Sequence, residues 1–422
     1  MNAPALQPLT PTEPVRSGAG RLTAFEGLRG VAAMMVVFSH LQLAFFAQAP
    51  QSLRESVSFM PRPLASIATA GIEWVRDGHF AVWVFWVMSA FVLSLRFFQL
   101  AQGDDRTAAR RYLKGASLRR YPRLVIPIIA AVLLGYCLFS AGLMRNQQAA
   151  PLAGSDWLAR LYTFDPSLLR ALKEAFFDVF YVYEPAKSYN VVLWTMKAEL
   201  IGSLFVFAVL GIVGHRRYRW AVYAVTGIVL LLLQLDYLNG FLAGLILCDI
   251  YVRPESVLHR LPLYVVKRIH GLRTGRVVSY TLLAIVLVLV GLPKDRQLPT
   301  ILLSILLCAM TLFLLPLNRL LSTPVPVFLG RVSFGLYLVH VPIISSFSCA
   351  AYVWLRGYTD AMTRGVAVSV ATIFLSLMAG YAFYRLVDAP AVRISKVLTK
   401  RAPATTSPGG RESALHPGIS AE

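Results

Sequence analysis

Residues 79–98 read HFAVWVFWVMSAFVLSLRFF, and Arg96 is the only Asp, Glu, Lys or Arg among these twenty residues. A helix of this length rises about 30 Å, the thickness of a bilayer's hydrocarbon core. Comparable stretches recur near 26–47, 121–143, 191–213, 219–235, 237–252, 277–293, 300–317, 334–355 and 365–387. Such spans are helical because a helix satisfies its own backbone polar groups in lipid. The sequence therefore predicts an all-α polytopic integral membrane protein with about ten transmembrane helices.

The composition of the whole chain agrees with this class. Of 422 residues, 57% are hydrophobic and 15% are charged, whereas soluble domains average about 45–50% and about 25%. The mean hydropathy is +0.61. A soluble globular enzyme is therefore excluded. The four cysteines lie inside apolar runs without CxxC or Cys/His spacing, so we expect neither a disulfide framework nor a metal site.

The basic residues fall mainly in alternate loops. Lys and Arg together number 41 against 21 Asp and Glu, for a net charge of +20. They cluster in 106–120, 216–219, 253–276 and 393–401, while the loop 145–190 mixes signs. The positive-inside rule predicts from this that both termini are cytoplasmic, as an even number of spans requires. The net charge is then mainly a topology signal, and we expect no nucleic-acid partner.

The two ends of the chain differ in composition from the apolar region between them. Residues 1–20 are rich in Pro, Thr and Ala and lack the apolar core of a signal peptide, and 396–422 are rich in Pro, Ser and Gly. Both patterns predict disordered cytoplasmic tails. The sequence thus predicts one transmembrane domain over 21–395.

Arg29 and His40 lie on the first predicted span. Their separation of eleven residues places them within about 20° of the same helix face and about 16 Å apart along the axis. We expect Arg29 at the cytoplasmic edge and His40 near the middle of the membrane. A snorkelling arginine and a packing histidine would explain both residues. The functional interpretation is that His40 is a buried general base.

Arg120 and Arg123 enter the third span. Positive-inside anchoring explains basic residues at this edge, but Arg123 follows Pro122 and lies inside the apolar run. At a spacing of i, i+3, the two guanidinium groups can bind one anionic group together.

Two more clusters place polar groups inside spans. Lys197 and Glu199 are two residues apart, so they face different directions on a helix, and ion pairs to other helices are the structural alternative. Tyr337 and His340 share one face of the ninth span, although membrane-interface packing also explains a tyrosine. Ionisable groups on at least four spans predict a polar cavity inside the bundle.

These stretches resemble motifs of the membrane-bound acyltransferase-3 family, which includes bacterial polysaccharide O-acetylases. Residues 25–33 are similar to its opening LDGLRGIAA pattern, and Arg29 and His40 match its Arg-x10-His motif. Residues 329–342 are similar to LGRISYSLYLVHWP and match most closely.

Three weaker matches extend the resemblance, which covers residues 21–395. Residues 85–91 resemble FFVLSGF with Ala90 in place of Gly, and Arg120-x-x-Arg123 resembles a basic motif. Residues 194–199 resemble WSLSVEE, although Leu200 replaces the second acid. The chain resembles the stand-alone members that carry no SGNH-type domain.

The resemblance implies an O-acyltransferase of the bacterial inner membrane. It would move an acyl group, usually acetyl, from cytosolic acetyl-CoA or another acyl-CoA to a hydroxyl of a cell-surface or lipid-linked carbohydrate. Acyl-CoA would be a substrate rather than a permanently bound cofactor. We assign catalytic roles to His40, Glu199 and Tyr337, donor binding to Arg29, Arg120 and Arg123, and acceptor binding to Trp194 and His340.

In that scheme His40 either deprotonates the acceptor hydroxyl or carries the acyl group itself. Glu199 would fix the imidazole tautomer or hold the acceptor, and Tyr337 would hydrogen-bond the oxyanion.

Two alternatives stay open from the sequence. Many spans with buried charges also suit a transporter or flippase of lipid-linked sugars, although we find no internal repeat. The acceptor of an acyltransferase can also be a small secondary metabolite. Walker A, GxGxxG, GxSxG and HExxH motifs do not occur, so their mechanisms have no support.

Overall fold

The computed structural model describes residues 18–47, 77–102, 106–253, 281, 285 and 297–400, and all regular structure in these ranges is helical. The helices are α1 (Gly18–Phe45), α2 (Gly78–Leu100), α3 (Arg106–Ser140), α4 (Asn146–Ala153), α5 (Asp156–Ala159), α6 (Leu168–Lys173), α7 (Val179–Tyr181), α8 (Trp194–Val213), α9 (Arg219–Leu232), α10 (Asp236–Val252), α11 (Gln297–Phe313), α12 (Leu315–Leu321), α13 (Pro324–Ile343), α14 (Cys349–Trp354), α15 (Ala361–Phe383) and α16 (Ala389–Lys400). One π-helical turn each follows α6 (Glu174–Asp178), α13 (Ile344–Ser348) and α15 (Tyr384–Asp388). Single 3-10 turns lie at Pro185–Lys187, Val191–Leu193 and Leu355–Gly357.

Six described segments are long and apolar enough to cross a membrane. They are Leu22–Phe45, Gly78–Leu100, Thr107–Ser140, Val191–Val213, Pro324–Gly357 and Ala361–Val397. A seventh is counted if α11 and α12, which meet at a bend of 89°, form one broken span. An all-helical bundle with membrane-spanning helices is thus confirmed.

The predicted number of about ten spans is not confirmed. The proposed 219–235 span corresponds to α9, whose 14 residues are fewer than the roughly 20 a transmembrane helix needs. The neighbouring 237–252 span corresponds to α10, with 17 residues. The proposed 277–293 span lies outside the described residues apart from positions 281 and 285.

Most of both predicted tails also lies outside the described residues, which begin at Gly18 and end at Lys400. Within the predicted tails, 18–20 belong to α1 and 396–400 belong to α16. The cytoplasmic location of the termini stays a prediction from the loop charges.

Helices α1 and α13 run side by side in the same direction and approach closely at glycines. A Cβ added to Gly30 would lie 2.5 Å from the backbone nitrogen of Gly330, and one added to Gly330 would lie 2.0 Å from the carbonyl oxygen of Glu26. Only glycine permits backbones this close. The two stretches that most resemble family motifs are therefore packing partners.

The segment 141–190, between α3 and α8, is a folded unit rather than an open loop. Tyr189 is buried and ties its parts together: its hydroxyl donates to the carbonyl of Ser167 (2.9 Å), and its carbonyl accepts from the hydroxyl of Tyr162 (3.0 Å). The segment also bonds to two spanning helices. Ser155 donates to Leu43 of α1 (2.7 Å), and the Asn190 amide donates to Leu338 of α13 (2.7 Å).

Candidate active site

His40 of α1 and His340 of α13 form a hydrogen-bonded pair. Nδ1 of His40 lies 3.0 Å from Nε2 of His340, and the ring centroids are 5.0 Å apart. His340 is fully buried, whereas His40 is half-buried. The two residues are 300 positions apart in the chain, and the parallel packing of α1 and α13 brings them together.

The backbone carbonyls around the pair fix both tautomers. Nδ1 of His340 lies 3.1 Å from the Leu336 carbonyl and Nδ1 of His40 lies 2.9 Å from the Val36 carbonyl. Because a carbonyl oxygen only accepts, a proton on each Nδ1 satisfies both carbonyls. In this tautomer Nε2 of His340 accepts from Nδ1 of His40, whose single proton is shared between Nε2 of His340 and the Val36 carbonyl. Nε2 of His40 keeps its lone pair, and it has no hydrogen-bond partner among the described residues.

One aromatic side chain besides His340 lies next to His40 among the described residues. Trp157 of α5 lies 5.2 Å from the His40 ring between centroids. Gly78, the neighbour of His79, packs on Ser39. His79 in turn lies 5.5 Å from Trp194, whose side chain is 37% exposed. The predicted acceptor residue Trp194 is thus close in space to the histidine pair.

The predicted position of His40 near the middle of the membrane stays a prediction, and along its helix His40 is near the end. His40 lies five residues before the end of α1, about 7.5 Å from that end rather than at its middle. The 141–190 segment covers the region beyond it.

Tyr337 contacts the start of the span that contains α8. Its hydroxyl donates to the Val192 carbonyl (2.6 Å) and lies 2.8 Å from the hydroxyl of Thr195. Since a hydroxyl has one proton, the proton of Tyr337 is engaged by Val192 rather than available to an oxyanion. Thr195, on which sequence reasoning placed no role, belongs to this group.

Glu199 does not contact the histidines but pairs with Arg120 across two helices. Ser89 of α2 donates to the same carboxylate oxygen (2.5 Å), and Nε of Arg120 donates to Ser203 (2.6 Å). Glu199 therefore does not fix the tautomer of His40, because Val36 and His340 do so. The structure therefore shows the ion pair to another helix that was the structural alternative for Glu199.

Arg120 and Arg123 bind different carboxylates, and their joint binding of one anionic group of a donor stays a prediction. Nη1 of Arg123 lies 2.6 Å from Oδ1 of Asp388, in the π turn after α15, and the guanidinium lies over the ring of Phe334. Asp388 was absent from the sequence prediction. In the sequence, only the position of Asp388 inside an apolar run marks it as a candidate site residue.

Of the three arginines predicted to bind the donor, Arg29 lies farthest from a carboxylate. Its side chain is 46% exposed, 3.8 Å from Glu26, and it donates to the Gly330 carbonyl through Nε (3.2 Å) and Nη2 (2.7 Å). Part of its role is thus to join α1 to α13. Arg29 precedes His40 by eleven residues on one helix, so the two lie about 16 Å apart along its axis.

The sequence profile of an acyltransferase domain family matches residues 22–381 of the chain. The chain belongs to the acyltransferase-3 family. It is therefore an acyltransferase and an integral membrane protein, and the transporter alternative loses its support. No curated protein matches the chain, and no solved structure matches it.

The family motifs now have a place in the fold. The opening motif and the 329–342 motif form the glycine contact and the histidine pair, and Ser89 and Glu199 bring two further motifs together at Arg120. The residues of all five motif-like stretches therefore converge on two layers of one helix bundle.

Proposed function

We propose that this acyltransferase moves an acetyl group, or another short acyl group, from cytosolic acyl-CoA to a hydroxyl of a carbohydrate at the bacterial inner membrane. The observation that carries this proposal is the histidine pair. It leaves one basic nitrogen, Nε2 of His40, on the half-exposed side of the site.

The reaction follows from that nitrogen. Nε2 of His40 accepts the proton of the acceptor hydroxyl as its oxygen attacks the thioester carbon, the C–S bond breaks, and the proton passes to the thiolate of CoA. In the alternative order Nε2 attacks the thioester carbon and the C–S bond breaks, which releases the CoA thiolate. The acceptor oxygen then attacks the acyl group, the bond between Nε2 and the acyl carbon breaks, and the acceptor proton passes through Nε2 to the thiolate. His340 supports both orders, because it accepts the Nδ1 proton of His40 and so stabilises the positive charge on the ring.

The donor would enter from the end of the bundle that holds Arg29. A CoA molecule carries phosphate groups at one end and the thioester at the end of a long flexible arm. Arg29 is the best-placed contact for a phosphate because it is exposed and its ion pair with Glu26, at 3.8 Å, is longer than those of Arg120 and Arg123. The rise of about 16 Å to His40 is a span that such an arm can bridge.

Arg123 and Arg120 support this proposal less directly. Each would have to exchange its carboxylate, Asp388 or Glu199, for a phosphate. We assign Arg120 to holding α3, α2 and α8 together and keep Arg123 as a second donor contact.

Acceptor binding is supported by the aromatic groups beside His40. The Trp157 ring lies 5.2 Å from the His40 ring, and the Trp194 ring lies 5.5 Å from the His79 ring, between centroids. Aromatic ring faces pack against the C–H side of a sugar. Tyr337 holds the segment before α8 in place through Val192.

Purified protein in nanodiscs, supplied with acetyl-CoA, tests the donor reaction by the release of free thiol. We expect His40-dependent release that rises when acceptor is added. Radiolabelled acetyl on the protein in the absence of acceptor would identify the acyl-histidine order. Thiol release that persists in a folded His40→Ala protein would contradict the proposal.

Mass spectrometry of surface glycans from cells with and without the gene tests the acceptor. A fixed mass difference on a glycan would name the acyl group and the acceptor together. A difference confined to a small secreted metabolite would support the alternative acceptor class instead.

A further inference from the structure

Arg364 of α15 is buried without a partner for its charge. It is 6% exposed and is the one buried arginine in the described ranges. Its Nε atom has no hydrogen-bond partner, and none of the ion pairs among the described residues includes its guanidinium. The described part of the chain therefore places a cation inside the protein and supplies no carboxylate to it.

Other shielded arginines of the bundle do have carboxylate partners. Their side chains are between 14% and 27% exposed, and the ion pairs are Arg120–Glu199, Arg123–Asp388, Arg219–Asp249 and Arg253–Asp249. Removing an ion from water costs free energy, and an opposite charge nearby offsets that cost. Arg364 is more deeply buried than these four arginines and is the exception to the pattern.

The acid nearest to Arg364 in the sequence, Asp360, has other partners. Asp360 caps α15, because its Oδ1 accepts from the backbone N–H groups of Met362 and Thr363 at 3.0 Å each. Its carboxylate forms no ion pair with Arg364, although the two residues are one turn apart. The cap of α15 therefore does not neutralise the buried guanidinium.

Two neutral features beside Arg364 attract its charge. The guanidinium carbon lies 4.2 Å from the ring centroid of Tyr352, as in a cation–π contact. The C-terminal end of α1 is also close, since a Cβ added to Gly365 would lie 3.6 Å from the Phe45 carbonyl oxygen. Both features suit a cation at this place, but neither carries a full negative charge.

Arg364 lies near one end of its membrane span. The candidate span starts at Ala361, so Arg364 is about 4.5 Å further along the axis. In the connection before α15, Trp354 and Tyr358 are 68% and 72% exposed, and their rings lie 5.3 Å apart. Exposed Trp and Tyr at the end of a span are typical of the membrane–water interface. Arg364 therefore lies at the level of the lipid headgroups.

The outer face of α15 is suited to lipid chains. It exposes an apolar residue every four positions, at Val366, Val370, Phe374 and Met378. Contiguous exposed apolar residues of this kind mark a membrane contact. A phospholipid beside α15 can place its chains on this row and its phosphate near the start of the helix.

We infer that Arg364 binds the phosphate group of an anionic phospholipid, such as phosphatidylglycerol. Arginine forms paired, charge-assisted hydrogen bonds to phosphate oxygens. A headgroup with a net negative charge neutralises the buried cation, whereas phosphatidylcholine brings its own ammonium group close to the phosphate. This lipid site goes beyond the proposed reaction, in which Arg364 contacts neither donor nor acceptor.

Thermal unfolding of the delipidated full chain in dodecyl maltoside tests the inference, with phosphatidylglycerol, phosphatidylcholine or inorganic phosphate added. A ligand that binds the folded state raises the unfolding temperature with its concentration, which gives an apparent affinity. We expect phosphatidylglycerol to bind at least about tenfold more tightly than either other probe. Equal affinity for phosphatidylcholine would overturn the inference. Equal affinity for inorganic phosphate would overturn the lipid source in favour of a soluble anion.

Arg364→Met locates the binding, because it removes the charge and keeps a long side chain. It should weaken phosphatidylglycerol binding at least about tenfold. Without added lipid it should unfold at a higher temperature than the wild type, because an unpaired buried charge is lost. The matched Arg356→Gln changes an exposed arginine of the preceding 3-10 turn and should keep the wild-type affinity.

Arg364→Lys keeps the charge and should keep the preference for phosphatidylglycerol, with weaker binding because an ammonium group makes no paired bonds. Unchanged stabilisation of Arg364→Met by phosphatidylglycerol would overturn the inference. So would a lipid-free Arg364→Met protein that unfolds below the wild type or fails to fold, since Arg364 would then have its counter-charge within the chain. A wild type that gains no stability from any probe would overturn it as well.

Discussion

The bundle has an arginine layer, with Arg120 and Arg123, and a histidine layer, with His40 and His340. The polar groups of the two layers find their partners in different ways. In the arginine layer the charges neutralise one another, as Arg120 does with Glu199 and Arg123 with Asp388. In the histidine layer His40 and His340 form a hydrogen bond with each other instead. A charge that is paired with a carboxylate holds helices of the bundle together, whereas a histidine nitrogen without such a partner can accept a proton from a substrate.

The largest effect should come from the histidine layer. His40→Ala removes the nitrogen that accepts the acceptor's proton in the proposed reaction, so we expect acyl transfer to fall by about 10²–10⁴-fold. The measurement is thiol release from acetyl-CoA at equal amounts of folded protein. His215→Gln, which changes a histidine that packs on Phe97, is the matched control. Similar losses in both variants would mean that the pair is not the catalytic base.

The next effect should come from the arginine layer and concern stability. Glu199→Gln leaves Arg120 without its carboxylate in a largely buried place, and we expect a loss of about 3–5 kcal/mol in the free energy of unfolding. The Arg120→Met/Glu199→Met double variant should lose less, because no unpaired charge remains.

Lys187→Gln is the control for this ion-pair experiment, since it breaks a pair whose side chains are 60% and 56% exposed. It should cost less than about 1 kcal/mol. If the Glu199 variant had a raised KM for acyl-CoA and unchanged thermal unfolding, Arg120 would be a donor-binding residue. The arginine layer would then bind substrate as well as hold the helices together.

A third effect, of intermediate size, concerns Glu174 in the 141–190 segment, which belongs to neither layer. Burial raises the pKa of Glu174 from 4.5 to about 7, against the lowering effect of its bonds to Ser188 and Tyr189. The folded state therefore keeps this proton while the unfolded state loses it. Stability should fall as the pH rises from about 4.5 to about 7, by up to about 3 kcal/mol, and stay level above that.

Thermal unfolding of the wild type and of Glu174→Gln between pH 4.5 and pH 8 measures this dependence. Because the amide does not titrate, the variant should lack this part of the pH dependence. Parallel curves for the two proteins would show that the carboxyl is ionised throughout the range.

The smallest effect should come from Arg29. Arg29→Gln removes the exposed charge assigned to the donor phosphates, so we expect the KM for acetyl-CoA to rise about five- to tenfold with kcat nearly unchanged. Arg331→Gln removes an exposed arginine from the adjacent helix and should leave KM unchanged. A fall in kcat without a change in KM would assign Arg29 to the packing of α1 on α13 alone.

Much of this arrangement could be predicted from the sequence, because it depends on local spacing. The apolar runs located the long helices, and eleven residues placed Arg29 and His40 on one face. The predictions that differ from the structure concern contacts between residues that are distant in the sequence. Arg120 and Glu199 are 79 residues apart, and no spacing rule says that they meet each other rather than a ligand.

Two other differences have distinct physical causes. The number of about ten spans is not confirmed, because apolar composition does not report helix length and α9 stops after 14 residues. The 141–190 segment mixes charged and aromatic residues without a clear period. Its fold depends on side-chain bonds such as those of Tyr189 and Asn190, which leave no periodic pattern in the sequence.

The glycine contact between α1 and α13 also sets a length rule for the chain. Gly30 precedes His40 by ten residues, and Gly330 precedes His340 by ten residues, so both helices climb about 15 Å from the contact to the paired rings. One residue inserted into either interval would turn its histidine by about 100° and separate the rings. An equal insertion of one residue in both would not restore the pairing, because each histidine would turn the same way about its own axis and the two rings would leave the interface on opposite sides. Only an insertion of about seven residues in both, close to two full turns, would return the rings to each other. The two intervals are therefore tied to each other and to the helical repeat, although about three hundred residues of sequence lie between them.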